Sequence, residues 1–272
     1  MIKTLILNKK INSYNKKISV DGDKSLSIRW VLLASQATGV SKAYNLLMSD
    51  DVIAAMNSIK KLGIRVKKHK NYCEVFGNGI NGFKYKKKLI INAKNSGTLG
   101  RLILGLLIKS PQKIKLIGDN SLSKRDFSRV TVPLEKFGAK FYYKKKNKLP
   151  ISILGSKFAK GIKYLENKGS AQCKSSIMLA ALNATGTTFI KAKKSRNHSE
   201  LLFKYLKIPT KIKKTKRYDF IRIKKPKKIR AFNYQIPGDI SSSAFFIILT
   251  TLSNNSKLLI KNVNINPSRI GV

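Results

Sequence analysis

Four short stretches of the chain put Ser, Gly, Lys, Asn and Gln directly in front of an apolar run: GDKSLSIR at 22–29, NSGTLGR at 95–101, GSAQCKSS at 169–176 and GDISSS at 238–243. A helix beginning at such a turn leaves its first backbone N–H groups without intrahelical acceptors, and its dipole places partial positive charge at the same end. One capping side chain would be enough for stability. Hydroxyls, a lysine ammonium and backbone N–H groups gathered at one helix start offer more, and together they suit a phosphate. The chemistry expected of these residues is the holding of a small phosphorylated anion.

Other chemistry-bearing residues read as structural. Asp50 and Asp51 look like paired catalytic carboxylates, but acids at a helix start cap it and complement its dipole. Arg101 reads as a structural residue of its helix, Arg269 as a capping or inter-domain residue, and His198 as a helix-start side chain without metal partners. Cys173 reads as packing. It stands one hundred positions from Cys73, which is neither a disulfide framework nor metal-ligand spacing.

The turns belong to a repeat. Each is followed by about three turns of apolar helix and then a short strand: KAYNLL, KIKLIG, TTFIKA and KLLIKN. With Asp23, Asn95, Ser170 and Asp239 as markers, the steps are 72, 75 and 69 residues. A second phrase interleaves. SDDVIAAMNSIKKLGIRVKK at 49–68 predicts an amphipathic helix with Val52, Met56, Ile59 and Leu62 on one face, a glycine stop and a strand. FSRVTVPLEKFGAKFYYK at 127–144 repeats it, with Gly138 as the stop, and RNHSELLFKYLKIPTKIKK at 196–214 does so again. Arg125, Arg196 and Arg269 mark equivalent entries at steps of 71 and 73. Two different helices per unit of roughly seventy residues predict sheets packed around buried helices.

Composition sets the bounds. The 272 residues are 42% apolar, enough for a sizeable core. There are 57 basic and 12 acidic residues, a formal charge of +45. That charge points either to a polyanion partner or to compositional drift toward Lys, Ile and Asn. Lysines thicken at 84–88, 144–148 and 211–230, between apolar segments, and no RNA-binding signature with interleaved aromatics runs along the chain. Drift is the reading adopted, with residual polyanion affinity from the field alone. The opening apolar run is short for a signal peptide, and no apolar stretch is long enough to span a bilayer. A cytoplasmic monomer without a specific nucleic-acid or membrane partner is expected.

Taken in order, GDKSLSIR, NSGTLGR, GDNSLSKRDFSRV, SAQCKSSIMLAAL, SRNH, PGDISSSAFF and NVNINPSR resemble the signature segments of the EPSP synthase (3-phosphoshikimate 1-carboxyvinyltransferase) family of enolpyruvyl transferases. The resemblance runs from about residue 20 to the end. It implies an α/β fold of repeated βαβαββ units forming two inside-out domains, with substrates in the cleft between them. Residues 20–236 would be a complete domain of three units, and 1–19 plus 237–272 part of the second. The family moves the enolpyruvyl group of phosphoenolpyruvate to the 5-hydroxyl of shikimate 3-phosphate through a tetrahedral ketal phosphate, without metal or organic cofactor.

Carried over by the resemblance, Lys24 contacts phosphoenolpyruvate and helps neutralise both substrates, while Ser25 and Arg29 hold shikimate 3-phosphate. Asn95 and Gly97 form the loop against which phosphoenolpyruvate packs, and Arg125 grips it. Ser170 and Ser195 hold the shikimate phosphate, Gln172 lies near both ligands, and Arg196 joins the same site. The chain stops at NPSRIGV, where the family continues to its acidic proton donors and acceptors. The expectation is an incomplete second domain and a chain inactive alone. The related UDP-N-acetylglucosamine enolpyruvyl transferase has a Lys-Asn pair where this chain has Lys24-Ser25, and commonly a cysteine in the loop that here reads GDNSLSKRD. That enzyme and a basic nucleic-acid-binding module of related fold are the alternatives.

Overall fold

The computed structural model describes residues 12–271; the opening apolar run of 1–11 lies outside them. The helices fall into two kinds, as the two phrases of the repeat require. α1 (Lys24–Ser35), α3 (Gly97–Leu106) and α6 (Ala171–Ala181) are buried almost all round. α2 (Asp50–Lys61), α5 (Ser128–Glu135) and α7 (His198–Tyr205) each bury one face. On α2 that face includes the expected Val52, Met56 and Ile59, with Leu62 buried just past its end. Gly105 lets α3 and α6 meet closely, since a Cβ there would lie 2.1 Å from the Ser176 carbonyl oxygen.

Among the described residues three four-stranded sheets enclose these helices. One runs β5 (Ile90–Asn92), β6 (Ile114–Ile117), β8 (Lys148–Leu154), β7 (Lys140–Lys145). Another runs β9 (Lys163–Glu166), β10 (Thr187–Lys193), β12 (Tyr218–Lys224), β11 (Thr210–Lys214). In both, the first two strands are parallel and the rest antiparallel, so each is one βαβαββ unit. The remaining sheet has the same order but a borrowed edge: β13 (Asn233–Gln235), β2 (Thr38–Tyr44), β4 (Tyr72–Asn78), β3 (Arg65–Lys68). Its parallel edge strand comes from the far end of the chain.

The strand that local order would put there, β1 (Asn15–Ser19), instead pairs in parallel with β14 (Lys257–Lys261). The chain thus crosses twice beside itself. Asp23 N–H donates to the Pro237 carbonyl at 2.8 Å and Asp239 N–H to the Asp21 carbonyl at 2.9 Å. Beyond this crossing lies α8 (Ile240–Thr251), the fourth helix to follow the Ser/Gly phrase. Its packing differs from that of the other three: Phe245, Ile248 and the following Leu252 are exposed, and only Ile240 and Ser243 are buried. A short α4 (Asn120–Ser123) precedes Arg125. Among the described residues no helix is long and apolar enough to cross a membrane, and no cluster of three His, Cys, Asp or Glu could hold a metal.

Candidate anion-binding site

Each repeated turn carries a dedicated cap. Asp23 caps α1 through Leu26 N–H at 2.9 Å, Ser96 caps α3 through Leu99 N–H, Ser170 caps α6 through Cys173 N–H, and Asp239 caps α8 through Ser241 N–H. The candidates other than Ser170 are thereby free of capping duty. The first helix start has a second tenant, however. The Lys24 N–H donates to Asp239 Oδ2 at 3.1 Å, so one N–H expected to face an anion is already occupied. Arg269 holds that carboxylate in place through Oδ1 at 2.9 Å and approaches Asp23 at 3.6 Å. The expected capping arginine therefore joins both crossing segments.

Around α1 the candidates separate by depth. The Lys24 ammonium is half exposed and pairs with Asp51 Oδ2 at 3.4 Å. Arg29 is buried, with Nε on Ser199 Oγ, Nη2 on Ser175 Oγ and Nη1 on the Ser25 carbonyl. Burial lowers its pKa to about 10, opposed by Glu200 and Asp23. Glu200 also forms a buried ion pair with Lys174. His198 lies beneath, neutral, its pKa lowered to about 3 by burial and by the charges of Arg29, Arg269 and Arg196.

The second and third starts are one network. Arg101 donates to Gln172 Oε1 at 2.8 Å, to the Gly97 carbonyl and to the Asp126 carbonyl. Gln172 Nε2 donates to Thr98 Oγ1 at 3.0 Å. Arg125 reaches Asn95 Oδ1 at 3.2 Å. A Cβ on Gly97 would stand 2.9 Å from Arg101 Nη1 and 3.0 Å from Arg125 Nη1, so this glycine is the floor on which two guanidinium tips rest.

A cavity of about 1270 Å³ opens beside this network. Ser170, Gln172, Ser195 and Arg196 line one wall and the segment from Val263 to Ser268 another. Ser195 Oγ is buried there without a hydrogen-bond partner. Lys24, Asn95, Gly97 and Arg125 do not line this cavity, and neither does the buried Arg29. Two residues escaped the sequence. Glu166, buried, accepts from Ser170 N–H at 2.8 Å and Lys168 N–H, fixing the turn before α6. Asp219 lines the cavity from β12 with Oδ1 buried and unpartnered. A lone acid in a lysine-rich hairpin carries no motif that would single it out.

Comparison with known proteins gives a consistent result. The family model for EPSP synthase (3-phosphoshikimate 1-carboxyvinyltransferase) matches residues 8–272. The 3-phosphoshikimate 1-carboxyvinyltransferase of Streptococcus mutans is 38% identical over 261 residues, covering 94% of this chain and 59% of that protein. That of Thermoanaerobacter sp. (strain X514) is 40% identical over 256 residues, with 94% and 59% coverage. The solved EPSP synthase from Acinetobacter baumannii superposes with a TM-score of 0.87 at 31% identity, over 95% of this chain and 58% of that one. The chain spans about 59% of the length of the curated relatives it matches. On this match, with the repeated βαβαββ architecture beneath it, the chain belongs to the EPSP synthase family.

Proposed function

We propose that this chain binds shikimate 3-phosphate and phosphoenolpyruvate as part of an enolpyruvyl transferase of the shikimate pathway, which moves the enolpyruvyl group to the 5-hydroxyl and releases phosphate. In this reading residues 20–236 form the shikimate-phosphate side, and 1–19 with 237–272 belong to a second domain across the cleft. Ser170, Ser195 and Arg196 hold the shikimate phosphate, with Gln172 between the ligands. Arg125, Asn95 and Gly97 receive phosphoenolpyruvate, and Lys24 neutralises both. Ser25 and Arg29 take the shikimate ring and carboxylate, and the three present partners of Arg29 leave one further N–H on each of Nη1 and Nη2. The reaction needs no metal, organic cofactor, membrane or nucleic acid, and suits a cytoplasmic monomer. The observation that carries the reading is the unpaired, buried Ser195 hydroxyl in a cavity shared with Ser170, Gln172 and Arg196.

The chemistry divides into protonation of the methylene carbon, attack by the 5-hydroxyl on the adjacent carbon, and loss of phosphate with removal of a proton from the new methyl group. Each step needs an acid or base within reach. Around the described site Asp23, Asp239 and Glu166 are committed to backbone N–H groups, Asp51 to Lys24 and Glu200 to Lys174. Asp219 shares the cavity with the proposed phosphate ligands, away from Gly97. We therefore assign proton transfer to none of them, and expect the 272-residue chain to bind ligand without turnover.

Isothermal titration with shikimate 3-phosphate tests the reading. Heat of binding that falls at least about tenfold in affinity in Ser195→Ala or Arg196→Gln supports it, at about 1.5–3 kcal/mol per lost hydrogen bond to a charged group. No heat, or tighter binding of UDP-N-acetylglucosamine, overturns it. Phosphate release by the chain alone at the rate of a full-length relative would overturn the assignment of proton transfer.

A further inference from the structure

Aromatic and cationic residues that lie far apart along the chain are brought into alternation on the outer face of the β9–β10–β12–β11 sheet. Across β10 and β12 the register pairs Phe189 with Arg222, Lys191 with Phe220 and Lys193 with Tyr218. The outer strands add Lys163 opposite Phe189 and Lys213 opposite Phe220. Each phenylalanine thus has a cation on both sides. The contacts follow the register: the Arg222 guanidinium lies 5.5 Å from the Phe189 ring centre, and the Lys191 ammonium 4.8 Å from that of Tyr218. Phe189 and Phe220 are 42% and 40% exposed, so neither ring is spent on the core. The acids of these strands, Glu166 and Asp219, are both buried and turned inward. A cleft of about 620 Å³ runs over this face, floored by Leu165, Phe189 and Phe220. At the β11 edge it shares Lys211 and Arg222 with a second groove of about 970 Å³ that also holds Lys204, Lys207 and Lys214, with the buried Glu200 and Asp219 at its inner wall.

We propose that this sheet face binds single-stranded nucleic acid without sequence preference, the bases stacking on Phe189 and Phe220 and the phosphates following the lysines toward the β11 edge. Four-stranded sheets with exposed rings are stacking platforms for unpaired bases, and cations beside the rings meet the phosphates. The Lys191 ammonium lies over both the Tyr218 and the Phe220 rings, at 4.8 and 5.8 Å, and so sets a cation beside the stacking surface where a phosphate would pass. A protein partner fits less well, because interface cores are depleted in charge and here both phenylalanine rings are bracketed by cations. Charge alone would bind duplex and single strand alike. The rings are what select the single strand.

The test uses the full chain and a fluorescein-labelled 20-mer oligouridylate, read by anisotropy from 50 to 300 mM salt. The expected result is binding of the single strand at least about tenfold tighter than of a duplex RNA of equal length, since stacking adds several-fold per base. Phe189→Leu with Phe220→Leu keeps the apolar surface and the net charge. It should weaken single-strand binding by at least about tenfold and leave the salt slope unchanged. Lys211→Gln with Lys213→Gln should lower that slope by about 1.4, at about 0.7 per lost phosphate contact. Unchanged circular dichroism keeps these variants comparable, and Phe189→Tyr, which retains a ring, should restore most of the affinity at its position. Equal affinity for duplex and single strand, or indifference to the double leucine variant, would each overturn the proposal.

Discussion

The Arg101 guanidinium donates to Gln172 Oε1 at 2.8 Å, and through this bond the start of α3 is tied to the start of α6, 71 residues away in sequence. The same side chain holds the Gly97 and Asp126 carbonyls and lies over the Phe127 ring. It belongs to no ligand wall, yet Gly97 and Gln172 accept from it directly, and Arg125, which holds Asn95, rests beside it over Gly97. Arg101→Met should therefore leave the fold standing and weaken both proposed ligands, by about tenfold or more for a lost charged hydrogen bond. Arg101→Lys should not rescue the loss, because an ammonium cannot reproduce the planar fork that reaches Gln172 and Asp126 together. Titration of each variant with shikimate 3-phosphate and phosphoenolpyruvate checks this.

Gly97→Ala separates the site from the scaffold. The new Cβ would make an ordinary contact with Leu122 at 3.7 Å and press only on the flexible ends of Arg101 and Arg125, at 2.9 and 3.0 Å, so those tips must retreat by a few tenths of an ångström. Alanine also favours the first turn of a helix over glycine. The melting temperature should hold or rise slightly. Affinity for phosphoenolpyruvate should fall several-fold, and more than that for shikimate 3-phosphate, whose proposed contacts lie on Ser170, Ser195 and Arg196. Equal losses for both ligands would point to general damage instead.

The Lys24–Asp51 pair predicts an opposite sign. An anion arriving at Lys24 must compete with Asp51 Oδ2, 3.4 Å away. The lysine side chain is 52% exposed, so the pair contributes at most about 1 kcal/mol. Asp51→Asn should therefore raise affinity for phosphoenolpyruvate by up to about fivefold at low salt. The gain should shrink as salt screens the pair, which titrations at 50 and 300 mM would reveal.

How far the sequence foretold these features depends on chain distance. The helix bodies, the repeat of alternating buried and one-faced helices and the Val52–Met56–Ile59 face follow from local periodicity, and the structure has them. The borrowed edge strand does not. NKKIS at 15–19 and NYQ at 233–235 are both short and polar, and which one joins β2 is a long-range pairing that local pattern does not encode. The same holds for Asp239 on the Lys24 N–H, 215 residues apart, which makes the fourth start a support for the first. The repeat marks Arg125, Arg196 and Arg269 as equivalent entries, with Arg269 alone read as a capping or inter-domain residue. In the structure Arg125 touches Asn95, Arg196 lines the cavity and Arg269 joins Asp23 to Asp239.

Acid should weaken the fold through His198. Its folded pKa, about 3, lies below the ordinary 6.5, because burial and the facing Arg29, Arg269 and Arg196 disfavour the imidazolium more than Asp239 favours it. Asp23 Oδ2 stands 3.9 Å from Nε2. The unfolded chain takes up a proton below pH 6.5 that the folded chain refuses until about pH 3. Stability is therefore fully present above pH 6.5 and declines as pH falls. Between pH 6.5 and 5 the loss should approach about 2 kcal/mol, at about 1.4 kcal/mol per pH unit. His198→Gln should flatten that part of the profile in urea unfolding, while the steeper carboxylate-driven loss at lower pH remains.

The four repeated helices should differ in what they contribute to stability. Leu32 on α1 is 0% exposed and Phe245 on α8 is 78% exposed, although both follow a Gly-Asp start and read alike in sequence. Truncating Leu32 opens a cavity inside the helical core, which costs about 2–5 kcal/mol. Truncating Phe245 removes surface that water already wets and should change stability by about 0.5 kcal/mol or less. Parallel urea melts of Leu32→Ala and Phe245→Ala on the 272-residue chain measure the difference. A Phe245→Ala loss as large as that of Leu32→Ala would mean that the α8 face is covered in solution, and the contrast between the two helix starts would then be withdrawn.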